Sequence, residues 1–189
     1  MNGDVHVRFR EGLGVRFLRA TRLVVLCRSA EEAQRALDLI RRWTQEAGLT
    51  LHPEKTRIVN SLESGFDFLG YHFVKHRRFP RRKSLAKFKT AIRAKTHRTN
   101  GHSLSQIIKN VNSTLRGWFE YFKHSHPAPF RALDGWLRGR LRSILRRRQH
   151  RRGRANGADH HRWPNAYFAE QGLYSLKQAH ALACQSSRR

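Results

Sequence analysis

Carboxylates are scarce in this chain beside its basic residues. Its 189 residues hold 13 Asp plus Glu against 39 Lys plus Arg, a formal net charge of +26, and no acid occurs between Phe68 and Phe119. Surfaces built for solubility mix the two signs, and one-signed repulsion works against a compact state unless a polyanion screens it. The scarcity therefore points to nucleic acid as the partner. Two cysteines, Cys27 and Cys184, exclude a disulfide framework and a cysteine-based zinc site. The longest apolar run, Leu23 to Cys27, is far too short to cross a bilayer, so no membrane partner is expected. The opening MNGDVHVRFR has no apolar core of a secretory signal. A soluble protein of a reducing, cytoplasmic compartment is the expectation.

What is present is unevenly spread. Residues 1–60 carry 11 basic and 7 acidic side chains, residues 61–189 carry 28 and 6. The clearest pattern runs from Ser103 to Phe122, SLSQIIKNVNSTLRGWFEYF. Leu104, Ile107, Ile108, Val111, Leu115, Trp118, Phe119 and Phe122 form one apolar face on a 3.6-residue period, which predicts the central helix of a core. Ser103 and Gln106 suggest a capping box, and Pro127 stops the pattern.

Around this helix the chain reads as α+β. Residues 1–14 show no clear period and are read as a leader. Val15 to Leu18 and Leu23 to Cys27 read as a β-hairpin about Arg19-Ala20-Thr21-Arg22. Ser29 and Glu32 open a helix that Gly48 ends. A short strand follows near Arg57 to Val59. Phe66 to Val74 reads as one strand with a bulge at Gly70. A basic linker at 77–83 precedes three helices: one on Leu85, Phe88 and Ile92, closed by Asn100-Gly101; the central helix; and one from about Pro129 on Phe130, Leu133, Leu137, Leu141 and Ile144. Residues 146–162 read as a solvated or RNA-facing loop, and a short helix begins near Ser175. The resulting division is a leader at 1–14, a mixed segment at 15–75, a three-helix segment at 76–150, and a basic loop with C-terminal extension at 151–189.

The basic clusters are the candidate phosphate contacts. They are Arg77, Arg78, Arg81, Arg82 and Lys83 in the linker, and Lys87, Lys89, Arg93 and Lys95 on the first of the three helices. Further along come Arg138 and Arg142 on the third helix, then Arg146, Arg147, Arg148, Arg151, Arg152 and Arg154. Tyr121 lies off the apolar stripe and is the aromatic best placed to stack on a base. Trp118, Phe119 and Phe122 lie on the stripe and belong to the core. Asp159, His160 and His161 lack a second ligand cluster at metal-binding spacing, and Cys27 reads as a small buried hydrophobe.

Five stretches in order, GVRFLRATRLVVLCRS, GLTLHPEKTRIV, FDFLGYHF, the helix ending RGWFEYF, and RRWPNAYFAEQGLYSL, resemble the reverse transcriptase/maturases encoded by bacterial group II introns, which are mobile elements. The resemblance spans about residues 15–185. It implies that 15–75 is the end of a polymerase palm and that 76–150 is the helical thumb, or maturase-specific X domain. Position 1 falls close to the family's second catalytic motif, so the chain reads as a fragment. It also implies that Lys55 matches a lysine near the incoming nucleotide, and that Gly70 and Tyr71 match a primer-gripping stretch. Where the family has Tyr-Ala-Asp-Asp at the hairpin tip, this chain has Arg19-Ala20-Thr21-Arg22, and no acid lies between Glu11 and Glu31.

Two-metal phosphoryl transfer needs anionic oxygens to hold Mg²⁺, and a guanidinium in their place repels it. The expectation is no cofactor, no catalytic residue, and an RNA-binding fragment with a role in intron splicing. Its expected partner is structured RNA, in particular group II intron RNA. Two other readings stay open: an RNA-directed DNA polymerase, as the intact family would be, and a non-functional gene remnant.

Overall fold

In the computed structural model, residues 5–9, 23–53, 55–153 and 155–186 are described, with residues 5–9 and 23 as backbone only. The chain is α+β and divides within a strand into two units, residues 1–78 and 79–189.

The first unit begins with β1 (Val5–Phe9), which pairs antiparallel with both β2 (Leu23–Cys27) and β3 (Ile58–Asn60) and so lies at the centre of the sheet. This corrects the reading of residues 1–14 as a leader. The sequence signal was there in the alternation of Val5, Val7 and Phe9 with His6 and Arg8. Among the described residues the partner of Leu23–Cys27 is Val5–Phe9; Val15 to Leu18 and the tip Arg19 to Arg22 lie outside them. Helix α1 (Ala30–Glu46) buries Ala33 and Leu37 against Cys27. Ser29 accepts from the Glu32 amide, while Glu32 reaches back to the Arg28 amide, one residue further than a capping box requires. Gly48 follows the helix at φ +70°, the left-handed stop that glycine adopts most easily.

Phe66 to Val74 is two strands rather than one bulged strand. β4 (Phe66–Phe68) and β5 (Tyr71–Val74) form a hairpin whose turn is Leu69-Gly70, both at positive φ, as tight hairpins favour. The paired rings of Phe66 and Phe73 stack at 5.1 Å. Gly65, at φ +63°, lies so close to this hairpin that a Cβ would stand 2.4 Å from the Phe73 carbonyl oxygen. Part of the expected basic linker is a strand, β6 (Arg77–Pro80), beside β5.

The second unit is helical. α2 (Arg82–Lys95), α3 (Leu104–Phe122) and α4 (Ala128–Arg148) follow the three apolar periods, although α2 ends before Asn100-Gly101. Ile107, Ile108, Val111, Leu115, Phe119 and Phe122 of α3 are all buried. Ser103 caps α3 through the Gln106 amide, but the Gln106 side chain turns to Asn110, so only half of the expected capping box forms. Trp118 packs between Phe88 and Phe122 at centroid distances of 4.5 and 4.7 Å.

Three more short helices complete this core: α5 (Gly157–Arg162), α6 (Asn165–Glu170) and α7 (Leu176–Ser186), contributing Trp163, Phe168 and Leu176. The α5 helix corrects the reading of 146–162 as a loop. Buried Asp134 of α4 accepts from the Ser175 hydroxyl and from the amides of Leu176 and Lys177, capping α7 from another helix. Asn112 of α3 clamps the preceding turn, donating to the Gly172 carbonyl and accepting from the Tyr174 amide.

Candidate nucleic-acid interface

Part of the positive charge of the second unit gathers between the end of α2 and α4. On α4, Trp136, Gly139, Arg140 and Ser143 recur at the spacing of one helix face, beside the core stripe of Leu133, Leu137, Leu141 and Ile144. Gly139 and Ser143 are small, so the face between Trp136 and Arg140 is recessed. Arg93, Thr96 and Arg98 from the end of α2 and its exit line the same recess, together with Ala155 and His160. The groove encloses about 550 Å³. Its lining holds three arginines and a histidine, and no carboxylate.

Arg140 is the fixed member. Its Nε donates to the Thr96 hydroxyl at 2.6 Å and its guanidinium to the Thr96 carbonyl at 2.8 Å. Thr96 is buried and its hydroxyl donates to the Ile92 carbonyl, which locks the rotamer. Burial, and then the neighbouring charge of Arg93, push the Arg140 guanidinium below its ordinary pKa. No acid offsets that crowding within the groove. Around the Trp136 ring stand Lys89, Arg93 and Arg140, with cationic centres 5.6 to 5.8 Å from the centroid. Such an arrangement presents guanidinium donors beside a partly exposed indole, the chemistry that meets a phosphate and a base together.

The anticipated residues fall into separate groups. Arg93 lines this groove, and Lys89 stands over its Trp136 ring. Arg82, Lys83 and Lys87 are exposed on α2, and Tyr121 is 54% exposed on α3. Lys95 donates to the Asn110 carbonyl, and Arg81 sits at the N-cap of α2 with its Nε buried. Arg77 and Arg78 lie on β6 and Lys55 in an exposed loop of the first unit. Arg147, Arg151 and Arg152 are exposed, and Arg148 donates to the carbonyls of Asn100 and His102. Arg154 and the stretch Arg19, Ala20, Thr21 and Arg22 lie outside the described residues.

Two anticipated contacts turn inward. Arg142 is 2% exposed: it donates to the Trp163 carbonyl and the Asn165 side chain, and stacks its guanidinium over Phe168. Arg146 pairs with fully buried Asp159 at 3.0 Å and also donates to the Arg152 carbonyl. Arg138, one turn before Arg142, has its Nε buried as well. A one-signed run on a helix suggests a solvated face, but an acid 13 residues away can draw one member into the interior. Asp159 is also the second half of a capping box with Asn156. The Asn156 amide, ahead of Arg146, holds the Asp159 carboxyl below its ordinary pKa despite burial. Its neighbour His160 lines the groove.

The anticipated surface omitted Arg140, Trp136, Arg98 and His160. The Trp136–Gly139–Arg140–Ser143 spacing marks one helix face, but the rest of the lining comes from residues distant in sequence.

Residues 85–163, from α2 to the end of α5, match the family model described as group II intron, maturase-specific domain. No curated protein matches the chain. The matched segment contains the whole groove. It supports a maturase fragment whose function is connected with group II intron splicing. No helix among the described residues is long and apolar enough to cross a membrane.

Proposed function

We propose that the chain is the end of a reverse transcriptase palm joined to a maturase-specific domain, and that it binds group II intron RNA in support of splicing without polymerising. The observation that carries this reading is the acid-free groove of Arg93, Arg98, Arg140 and Trp136, set within the segment that matches the maturase-specific domain. Arginines at its rim and the exposed Arg82, Lys83, Lys87, Arg147, Arg151 and Arg152 neutralise phosphates and release counterions. The helical core holds them in fixed relative positions, so the fold selects which RNA surface matches.

Polymerase chemistry is assigned to no residue. The stretch Arg19-Ala20-Thr21-Arg22 offers Mg²⁺ no carboxylate, and among the described residues no three His, Cys, Asp or Glu side chains gather as ligands.

Binding of the full chain to labelled group II intron RNA across a salt series, with excess unrelated structured RNA, tests the proposal. Retention against competitor at near-physiological salt is the expected result. A steep salt slope with no preference would leave only polycation affinity and overturn the splicing role. Primer extension with Mg²⁺ is expected to give no templated product, and any product would overturn the assignment of Arg19 to Arg22.

A second reading, a remnant without function, is favoured by one observation. Leu26, Leu39 and Trp43 of the first unit are 58–69% exposed, apolar surface of the kind left when neighbouring structure is missing.

A further inference from the structure

We infer that the groove between α2 and α4 is a subsite for one unpaired nucleotide of the bound RNA, its phosphate held by Arg93 and Arg140 and its base against Trp136. The inference rests on the RNA-binding reading and adds to it a position and a structural preference.

Three observations carry it. The first is size: about 550 Å³ falls inside the range of roughly 300–1,000 Å³ typical of pockets that take one small ligand. A helical RNA surface is too broad to enter such a recess, whereas a single unstacked nucleotide fits. The second is charge. Arg93, Arg98 and Arg140 face the recess with no carboxylate among its lining residues, so an anion relieves a repulsion the fold leaves uncompensated. Arg140 is held by Thr96 with its guanidinium already oriented, so binding a phosphate costs little further ordering.

The third is the indole. Trp136 is only partly buried, although it packs on the core, and it is the aromatic ring of the groove lining. Arg93 and Arg140 stand over the ring in the free protein; a phosphate draws the exposed Arg93 guanidinium to itself and frees the ring for the base, while Arg140 stays fastened to Thr96. Gly139 also lines the groove. A Cβ there meets nothing within 4 Å, so any larger side chain at 139 projects into open space at the groove.

The test uses the full chain and two RNA probes, a single-stranded oligonucleotide and a blunt duplex of equal length, with binding measured at fixed salt. Two variants interrogate the subsite. Trp136→Leu removes the stacking surface, and Gly139→Glu inserts a bulky carboxylate where the phosphate would lie. Because Trp136 also touches the core, Gly139→Glu keeps the test valid if Trp136→Leu fails to fold, and thermal melting followed by circular dichroism reports folding for both. Each variant is expected to weaken single-strand binding by roughly 5- to 150-fold, with duplex binding unchanged. Equal loss on both probes, or no loss on the single strand, overturns the subsite while leaving RNA binding intact. Failure of the parent chain to bind either RNA overturns the RNA-binding reading, and the subsite with it.

Discussion

Charge reversal of Arg146, Arg147 and Arg148 together is the obvious way to test an arginine-rich RNA surface, and the fold makes Arg146 the wrong member of that set. Its guanidinium lies 3.0 Å from Asp159, a carboxylate with no exposed surface. Removing one partner of a buried pair usually costs about 3–5 kcal/mol, because the other charge stays desolvated. Here Asp159 keeps its 2.9 Å bond from the Asn156 amide, which offsets part of that loss, and Arg146 retains some solvent contact. The expected cost of Arg146→Ala is therefore near the lower end, about 3 kcal/mol, and Arg146→Glu should cost more. Urea unfolding followed by circular dichroism measures it. The paired variant Arg147→Ala, at an exposed position, should leave stability within about 0.5 kcal/mol and weaken RNA binding instead. If Arg146→Ala keeps full stability while losing RNA affinity, Arg146 is an RNA contact and the stabilising role of its pair with Asp159 is wrong.

Other consequences are equally concrete. Asp134→Ala should destabilise the second unit by about 2–4 kcal/mol, since it strands two amides and a hydroxyl at the start of α7. Hydrogen exchange should show the loss first at residues 176–179, and uniform protection there would refute the cap. Asp159, whose folded pKa is depressed, adds stability that is complete above its unfolded value of about 3.9 and lost as pH falls through its folded value. Unfolding free energy should thus decline below about pH 4, and Asp159→Asn should flatten that decline; an unchanged slope would contradict the assignment. Gly65→Ala should weaken the β4–β5 hairpin by about 2–4 kcal/mol, from its positive φ and the contact with the Phe73 carbonyl. Amide exchange over residues 66–74 reports it, and unaltered protection would contradict the steric account.

Legibility followed the range of the forces involved. The α3 helix was readable because its apolar residues repeat over five turns, and six of the eight named side chains are buried, Leu104 and Trp118 being partly so. Ser29 and Gly48 marked the ends of α1 because caps are local chemistry. The Phe66–Val74 stretch misled because a two-residue turn and a bulge leave the same glycine signature. Only the register of Phe66 with Phe73 separates them. The α5 helix was hidden by polar composition, since its six residues are held by the Asn156–Asp159 capping box and not by an apolar stripe.

For the interface, sequence alone determined the sign and the place of the charge: no acid from Phe68 to Phe119, and seven arginines within Ala128–Arg148. It also determined which aromatics enter the core, because hydrophobic period is a property of one helix. Which arginines face outward was decided by tertiary structure. Arg140 and Arg142 are neighbours on one helix, yet one is fastened to Thr96 across a groove and the other is buried against Trp163 and Phe168. A guanidinium is stable either in water or beside a well-placed acceptor, and the acceptor's position depends on how distant segments pack.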